Sequence, residues 1–467
     1  MSGKDLDQKA EMPETLEEGS ARKAREYSEG GSNTRATRDL HPPKLTDLMT
    51  AVIERENMQR ATRKVINNGG AAGIDRMSTD QIQSYLVKEW PRIKRELVEE
   101  RYKPQPALRV EIPKPNGGVR KLGIPTVLDR VIQQAILQVL SPIFEPAFSD
   151  SSYGFRPERS AHQAICKAQE FVREGHRYVV DVDLEQFFDR VNHDLLMARI
   201  YRRVGDKTLL RLIRSYLKSG VMVGKELEPT DLGTPQGGPL SPLLSNILLT
   251  DLDRELESRN HKFVRYADDC NIYVKSQAAG DRVLESITNY LEKNLKLKVN
   301  TEKSAVDRPW NRKFLGYSIS WHKLMPKRKV AKAALKGFKG TIRALFRKGR
   351  GRNVERFIKE DLYPYLKGWI NYFGYAEEKG IFETLDQWIR RKLRCLIWRQ
   401  WKKPKTRFTN LKAAGHSVKR AALGAYNGRG PWWNSDASHM HWAFKNAYFM
   451  ERGLVSLRTE AEKLKSI

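Results

Sequence analysis

Lys262-Phe-Val-Arg-Tyr-Ala-Asp-Asp-Cys-Asn-Ile-Tyr-Val274 is the stretch whose reading decides the fold. Its two arms are rich in β-branched and aromatic residues and meet at Tyr266-Ala267-Asp268-Asp269. The pattern predicts a hairpin with two adjacent acids exposed at its tip and held on rigid arms. An ordinary Asp-rich turn reads the same way, because turn chemistry favours Asp. The upstream run Tyr178-Val-Val-Asp-Val-Asp-Leu184 separates the two. Its period of two puts Asp181 and Asp183 on one face, opposite Val180, Val182 and Leu184.

Acids on a strand otherwise fit to be buried are costly unless they are paired or bind a cation. A divalent-ion site shared with Asp268 and Asp269 meets that cost. Three carboxylates on neighbouring strands can hold two Mg²⁺ ions about 3.5 to 4 Å apart, one activating a 3′-hydroxyl and one neutralising the leaving pyrophosphate. That chemistry is nucleotidyl transfer.

The Tyr-Ala-Asp-Asp tip, the acidic strand Asp181 to Phe188 and the loop Gly233-Thr-Pro-Gln-Gly-Gly-Pro-Leu-Ser-Pro-Leu-Leu-Ser-Asn246 resemble the palm of a reverse transcriptase. The flanking segments resemble the bacterial group II intron reverse transcriptase/maturase family, over roughly residues 45 to 455. The resemblance implies an α+β right-hand polymerase with fingers, palm, a helical thumb (X domain) and a small basic C-terminal DNA-binding region. The expected segments are a disordered polar tail over 1–43, N-terminal extension and fingers over 44–175, palm over 176–325, thumb over 326–402 and DNA-binding region over 403–467. Many relatives add an HNH endonuclease; none is expected up to Ile467.

Aligned with the family pattern, Asp183-Leu-Glu-Gln-Phe-Phe188 makes Asp183 the metal ligand beside Asp268 and Asp269, with Asp181 as second choice or an outer acid. Phe188 then lies under the incoming sugar, where its ring clashes with a 2′-hydroxyl and favours dNTPs; Phe187 and Phe188 are otherwise core residues. Leu108-Arg-Val-Glu-Ile-Pro-Lys-Pro-Asn-Gly-Gly-Val-Arg-Lys-Leu-Gly-Ile-Pro125 reads as a hairpin around Asn116-Gly117. In the family, residues matching its Lys114 and Arg120 stabilise the triphosphate. The resemblance also implies nucleotide contacts from Gln236 and Lys303, and a primer-grip strand through Gly316. Arg156, with Arg159, either meets template phosphate or braces its own loop. The Gly-rich loop 67–75 resembles the family's amino-terminal extension, which implies a template contact; otherwise it is a helix linker.

Three helical runs, Arg328 to Lys348, Val354 to Ala376 and Phe382 to Trp401, read as the thumb bundle. Gly368-Trp369-Ile370-Asn371-Tyr372-Phe373 resembles the maturase signature. Its tryptophans mostly fill the bundle, and Trp369 is one of the expected nucleic-acid contacts. Beyond it, Gly430-Pro431-Trp432-Trp433-Asn434 sets aromatics, Trp432 among them, beside basic residues, a pairing suited to charge and stacking on nucleic acid.

The 467 residues carry a formal net charge of +29. From Asn311 onward, 36 Lys and Arg stand against 11 Asp and Glu, a net of +25, so nearly all the excess lies in the last third. That asymmetry points to a polyanion bound along a phosphate-contacting surface there. Cys166, Cys270 and Cys395 lack zinc-knuckle spacing and do not frame a disulfide scaffold. No apolar run spans a membrane and no signal peptide opens the chain, so a cytoplasmic protein is expected.

The expected partners are an RNA template and primer duplex, group II intron RNA, a DNA target, dNTPs and Mg²⁺, for which Mn²⁺ can substitute. The expected function is RNA-directed DNA polymerisation together with maturase action in splicing and retrohoming. Two alternatives stand beside it: a splicing cofactor whose polymerase is dispensable, and a domesticated enzyme acting in DNA repair or defence.

Overall fold

The computed structural model describes residues 45–113, 119–224, 226–230, 232–233, 237–322, 325–378 and 380–466. The expected tail over 1–43, Lys114 and Gln236 fall outside them. Residues 43–467 cluster as a single unit.

Among the described residues ten strands run β1 (Ala107–Pro113), β2 (Val119–Ile124), β3 (Tyr178–Val182), β4 (Val221–Val223), β5 (Glu226–Glu228), β6 (Lys262–Tyr266), β7 (Asp269–Val274), β8 (Ala305–Asp307), β9 (Tyr317–His322) and β10 (Met325–Val330). The hairpin expected near Asn116-Gly117 is β1–β2, antiparallel from Leu108 opposite Ile124 to Pro113 opposite Val119. It does not stand alone. β4 joins β1 in parallel and β5 follows, so the sheet order is β2-β1-β4-β5 and a piece of chain assigned to the palm completes the fingers sheet.

The second sheet, β6-β7-β3-β8, is antiparallel throughout. Its pleat sorts its side chains between two cores, because successive residues of a strand face opposite ways. Val180, Val182, Phe263, Cys270, Ile272 and Val274 belong to one core, which also takes in the leucines of helix Ser241–Ser258 and most of helix Val127–Phe144. Val179, Val264 and Tyr273 belong to the other, built from helices Ala161–Arg173, Lys332–Lys348, Tyr363–Phe373 and Ile381–Gln400.

One expectation changes here. The run expected as helix from Arg328 begins as strand: β10 pairs with β9 through Val330, and the helix starts at Lys332. The region 403–467 packs on the thumb. Leu411, Met440, Phe449, Leu457 and Ala461 share the second core with the thumb helices. Asp386 on helix Ile381–Gln400 accepts hydrogen bonds from the backbone of Leu457 (2.9 Å) and Arg458 (3.2 Å), so it caps the last helix, Leu457–Ser466.

Candidate active site

The β6–β7 hairpin turns through Ala267 and Asp268, with Tyr266 paired to Asp269. Ala267 takes φ +57°, a left-handed conformation that costs a residue with a Cβ roughly 1–2 kcal/mol. The strain is held by a buried device. Arg265, whose side chain is 0% exposed, donates from Nη1 to the Ala267 carbonyl (2.9 Å) and to Asn246 Oδ1 (3.0 Å). Its Nε and Nη2 meet the two oxygens of Asp253, also 0% exposed, at 2.7 and 2.6 Å. The segment Ser151 to Tyr153 runs along the β6 edge through two backbone bonds with Arg265, and Gly154 abuts the turn so closely that a Cβ there would lie 2.3 Å from the Ala267 nitrogen.

Asp183 follows the last residue of β3. Its N–H donates to Ser304 Oγ (3.0 Å) and its carbonyl accepts from the Asn300 N–H (2.8 Å), so residues 300–304 fix where its side chain starts. Lys303 Nζ stands 3.6 Å from Asp183 Oδ1. Asp181 has a partner of its own: its Oδ2 accepts from Arg312 Nε (3.0 Å) and Nη2 (2.7 Å).

Desolvation raises the carboxyls of Asp268 and Asp181 above their usual range, with Asp183 adding like-charge repulsion to both. Asp269 is pushed up to about 7, by desolvation first and then by the charges of Asp268, Asp181 and Asp183. Carboxylates that raise one another in this way form a site short of positive charge. Arg120 on β2 supplies part of it, lowering Asp268 against that trend. Hard oxygens with unrelieved repulsion fit a divalent cation. Among the described residues no group of three His, Cys, Asp or Glu side chains is arranged as a finished metal cage.

Residues 112–319 match the family described as reverse transcriptase (RNA-dependent DNA polymerase), and residues 335–415 match the group II intron, maturase-specific domain. Protein YkfC of Escherichia coli (strain K12) is 33% identical over 321 residues, which cover 60% of this chain and 83% of that one. The chain belongs to the group II intron reverse transcriptase/maturase family. The group II intron-encoded protein LtrA of Lactococcus lactis subsp. cremoris is 38% identical over 210 residues, 44% of this chain but 34% of its own length. Among solved structures, the telomerase of Candida albicans in complex with a fragment of telomeric RNA matches with a TM-score of 0.38 and 13% identity, covering 82% of this chain and 69% of that one. No helix among the described residues is long and apolar enough to cross a membrane.

The other residues singled out in this reverse transcriptase/maturase are placed unevenly. Phe187 is core, whereas Phe188 lies at the core's margin and lines a cleft with Gln186, Arg109, Lys121 and Gly123. Lys303, with its side chain 62% exposed, leans over Asp183. Arg156 resolves toward the bracing alternative. Its side chain is 5% exposed, and it donates to Glu145 (2.8 Å), to the Ser152 carbonyl (2.8 Å) and to the Ser149 carbonyl, so its guanidinium is spent inside the protein and is not offered to template.

Trp369 is likewise a packing residue, with its ring centroid 4.4 Å from that of Phe338 and 4.8 Å from that of Phe373. Gly316 sits at φ +79°, and a Cβ there would meet the Phe373 ring at 3.2 Å, so the thumb's own aromatic ring accounts for the glycine. Trp432 is 43% exposed. Arg130 anchors the Gly-rich loop, donating to the Ala71 carbonyl at 2.6 Å.

Sequence reasoning missed Arg265 and Asp253. The signal was present: Arg265 shares a strand face with Phe263, and a cation on a core-facing position requires a buried acid.

Proposed function

We propose that the chain is an RNA-directed DNA polymerase that adds dNTPs to a primer 3′-hydroxyl, and a maturase that binds group II intron RNA for splicing and retrohoming. The observation that carries the first half is the approach of Asp183, just after β3, to Asp268 and Asp269, at the β6–β7 turn, close enough for its charge to raise the carboxyl pKa of both. Asp183, Asp268 and Asp269 would hold two Mg²⁺ ions, which supply charge stabilisation at the attacking and leaving oxygens when bound.

The chain's own residues do the rest. Arg120, Lys303 and Lys114 offer positive charge to the triphosphate, and Gln236 touches the incoming nucleotide. Phe188 closes the space beneath the sugar against a 2′-hydroxyl. Arg265 positions the turn that carries Asp268 and Asp269. Arg312 keeps Asp181 ion-paired and leaves Asp183 as the β3 ligand.

The second half rests on the match of 335–415 to the maturase-specific domain and on the net +25 of the last third. The test is dTTP incorporation on poly(rA)/oligo(dT) with Mg²⁺. Synthesis by the wild type that disappears in Asp268→Ala/Asp269→Ala supports the polymerase, and a folded wild type inert with both Mg²⁺ and Mn²⁺ overturns it. Intron splicing retained by the same double variant would place the maturase role apart from the chemistry.

A further inference from the structure

Between helix Lys332–Lys348 and helix Ile381–Gln400, a cavity of about 370 Å³ opens to solvent. Arg343, Arg347, Arg350, Lys392 and Arg399 line it, and no acid does. Among the described residues, none of the five has a carboxylate within ion-pair distance, although this chain pairs many of its other arginines. Arg352, two residues beyond Arg350, meets both Glu360 and Asp361. Lys392 is pushed below its ordinary pKa by burial and by Arg343 and Arg399. Arg343 and Lys392 lie over the Trp388 ring at 5.9 and 4.9 Å, but five cations around one cavity with no carboxylate partner suit an anion.

The anion has a shape. Phe346, Leu396 and Trp432 line the same cavity, so apolar and aromatic surface lies among the cations. Trp432 is oriented from behind. The Arg391 guanidinium lies 4.1 Å from its ring centroid, Arg391 Nη2 donates to its carbonyl (3.2 Å), and Arg391 is fixed in turn by Asp436 (3.0 Å). Lys392 Nζ lies 5.7 Å from the same centroid. A duplex backbone offers phosphate to the arginines but no free base face to Trp432, because its bases are stacked on one another. An unpaired nucleotide would reach both, with its phosphates on the arginines and its base against Trp432, because every base has a face that stacks on an aromatic ring. The cavity falls within the usual size range of small-molecule sites, about 300–1,000 Å³.

We infer that this cavity is a socket for a single nucleotide extruded from structured RNA, a bulged or looped-out residue read by stacking and charge. The inference rests on the maturase half of the proposed function and names the feature of the RNA that the thumb grips.

The test uses the full chain and two hairpin RNAs, identical except that one carries a single unpaired 2-aminopurine bulge. The wild type is expected to bind the bulged hairpin about 5-fold or more tightly than the paired one, the lower end of what one base–aromatic stack contributes, and to change the 2-aminopurine emission. Trp432→Ala removes the preference and Trp432→Phe retains most of it, with melting curves establishing that both are folded. Arg347→Gln/Arg399→Gln weakens both RNAs and flattens the salt dependence. Equal affinity of the wild type for the two hairpins, or a preference that survives Trp432→Ala, overturns the socket. Primer extension by the same wild-type preparation reports on the polymerase independently, and weak binding to both RNAs would count against the maturase reading itself.

Discussion

Asp253→Ala is the substitution that most directly tests how the acidic turn is held. Asp253 lies on helix Ser241–Ser258, outside the carboxylate cluster, yet its two oxygens satisfy two of the three donating nitrogens of a fully buried Arg265. Removing it leaves an uncompensated guanidinium with only Asn246 Oδ1 and the Ala267 carbonyl as acceptors. Breaking one partner of a buried ion pair costs about 3–5 kcal/mol, whereas replacing both partners with apolar residues of similar volume is often neutral. Asp253→Ala should therefore lower the free energy of unfolding by that amount, read as a lower urea midpoint at unchanged slope. Asp253→Leu/Arg265→Met should recover most of the loss. The double variant should still extend primers poorly, through a lowered kcat, because nothing then grips the Ala267 carbonyl and the strained turn is free to relax. The reasoning fails if Asp253→Ala melts like the wild type, or if the double variant is both stable and fully active.

Other outcomes follow from the same geometry. Asp269 titrates at about 7 in the native state but near 3.9 when unfolded, so the metal-free native protein holds a proton that the unfolded chain has released. Its stability should fall as pH rises through that window and stay low above it. Asp269→Asn should flatten the slope and stabilise the protein in EDTA above neutral pH by roughly 1 kcal/mol after solvent screening, as read by thermal melts near pH 5 and pH 8. Gly316→Ala forces a side chain into the left-handed region and against Phe373, and should cost about 1–2 kcal/mol, measured by denaturant titration. Phe188→Ala should reduce discrimination against ribonucleotides by about 10- to 100-fold, measured by comparing dTTP with UTP incorporation.

What the sequence made legible is local and periodic. The alternation in Tyr178 to Leu184 sends Val180, Val182 and Leu184 to one core, as their spacing requires. The strand pattern around Tyr266 to Asp269 is a hairpin. What stayed hidden depends on partners distant in sequence. Arg312 lies 131 residues from the Asp181 it neutralises, and nothing near Asp181 announces it. Arg156 and Trp369 look like exposed contact residues until the loop and the aromatic cluster that absorb them are assembled. The start of the thumb was misread because Arg328 and Lys329 suit either a helix or an edge strand, and only pairing with β9 decides between them.

The sheet bearing the carboxylates is a party wall, with one face covered by the fingers-side core and the other by helix Ala161–Arg173, whose core the thumb and C-terminal helices complete. A chain cut after the polymerase strands would bare the far side of that core to water, Tyr317 first, since its ring packs on Tyr372 and Phe373 of the thumb. It should be recovered as aggregate unless that face is repainted with polar residues, because exposed apolar patches of this kind drive association. For the same reason the two halves cannot be exchanged as cassettes between relatives: a thumb transplanted from elsewhere must bring a surface that fits the back of this particular wall. Loosening of the thumb should register as faster amide exchange along β3 and β7.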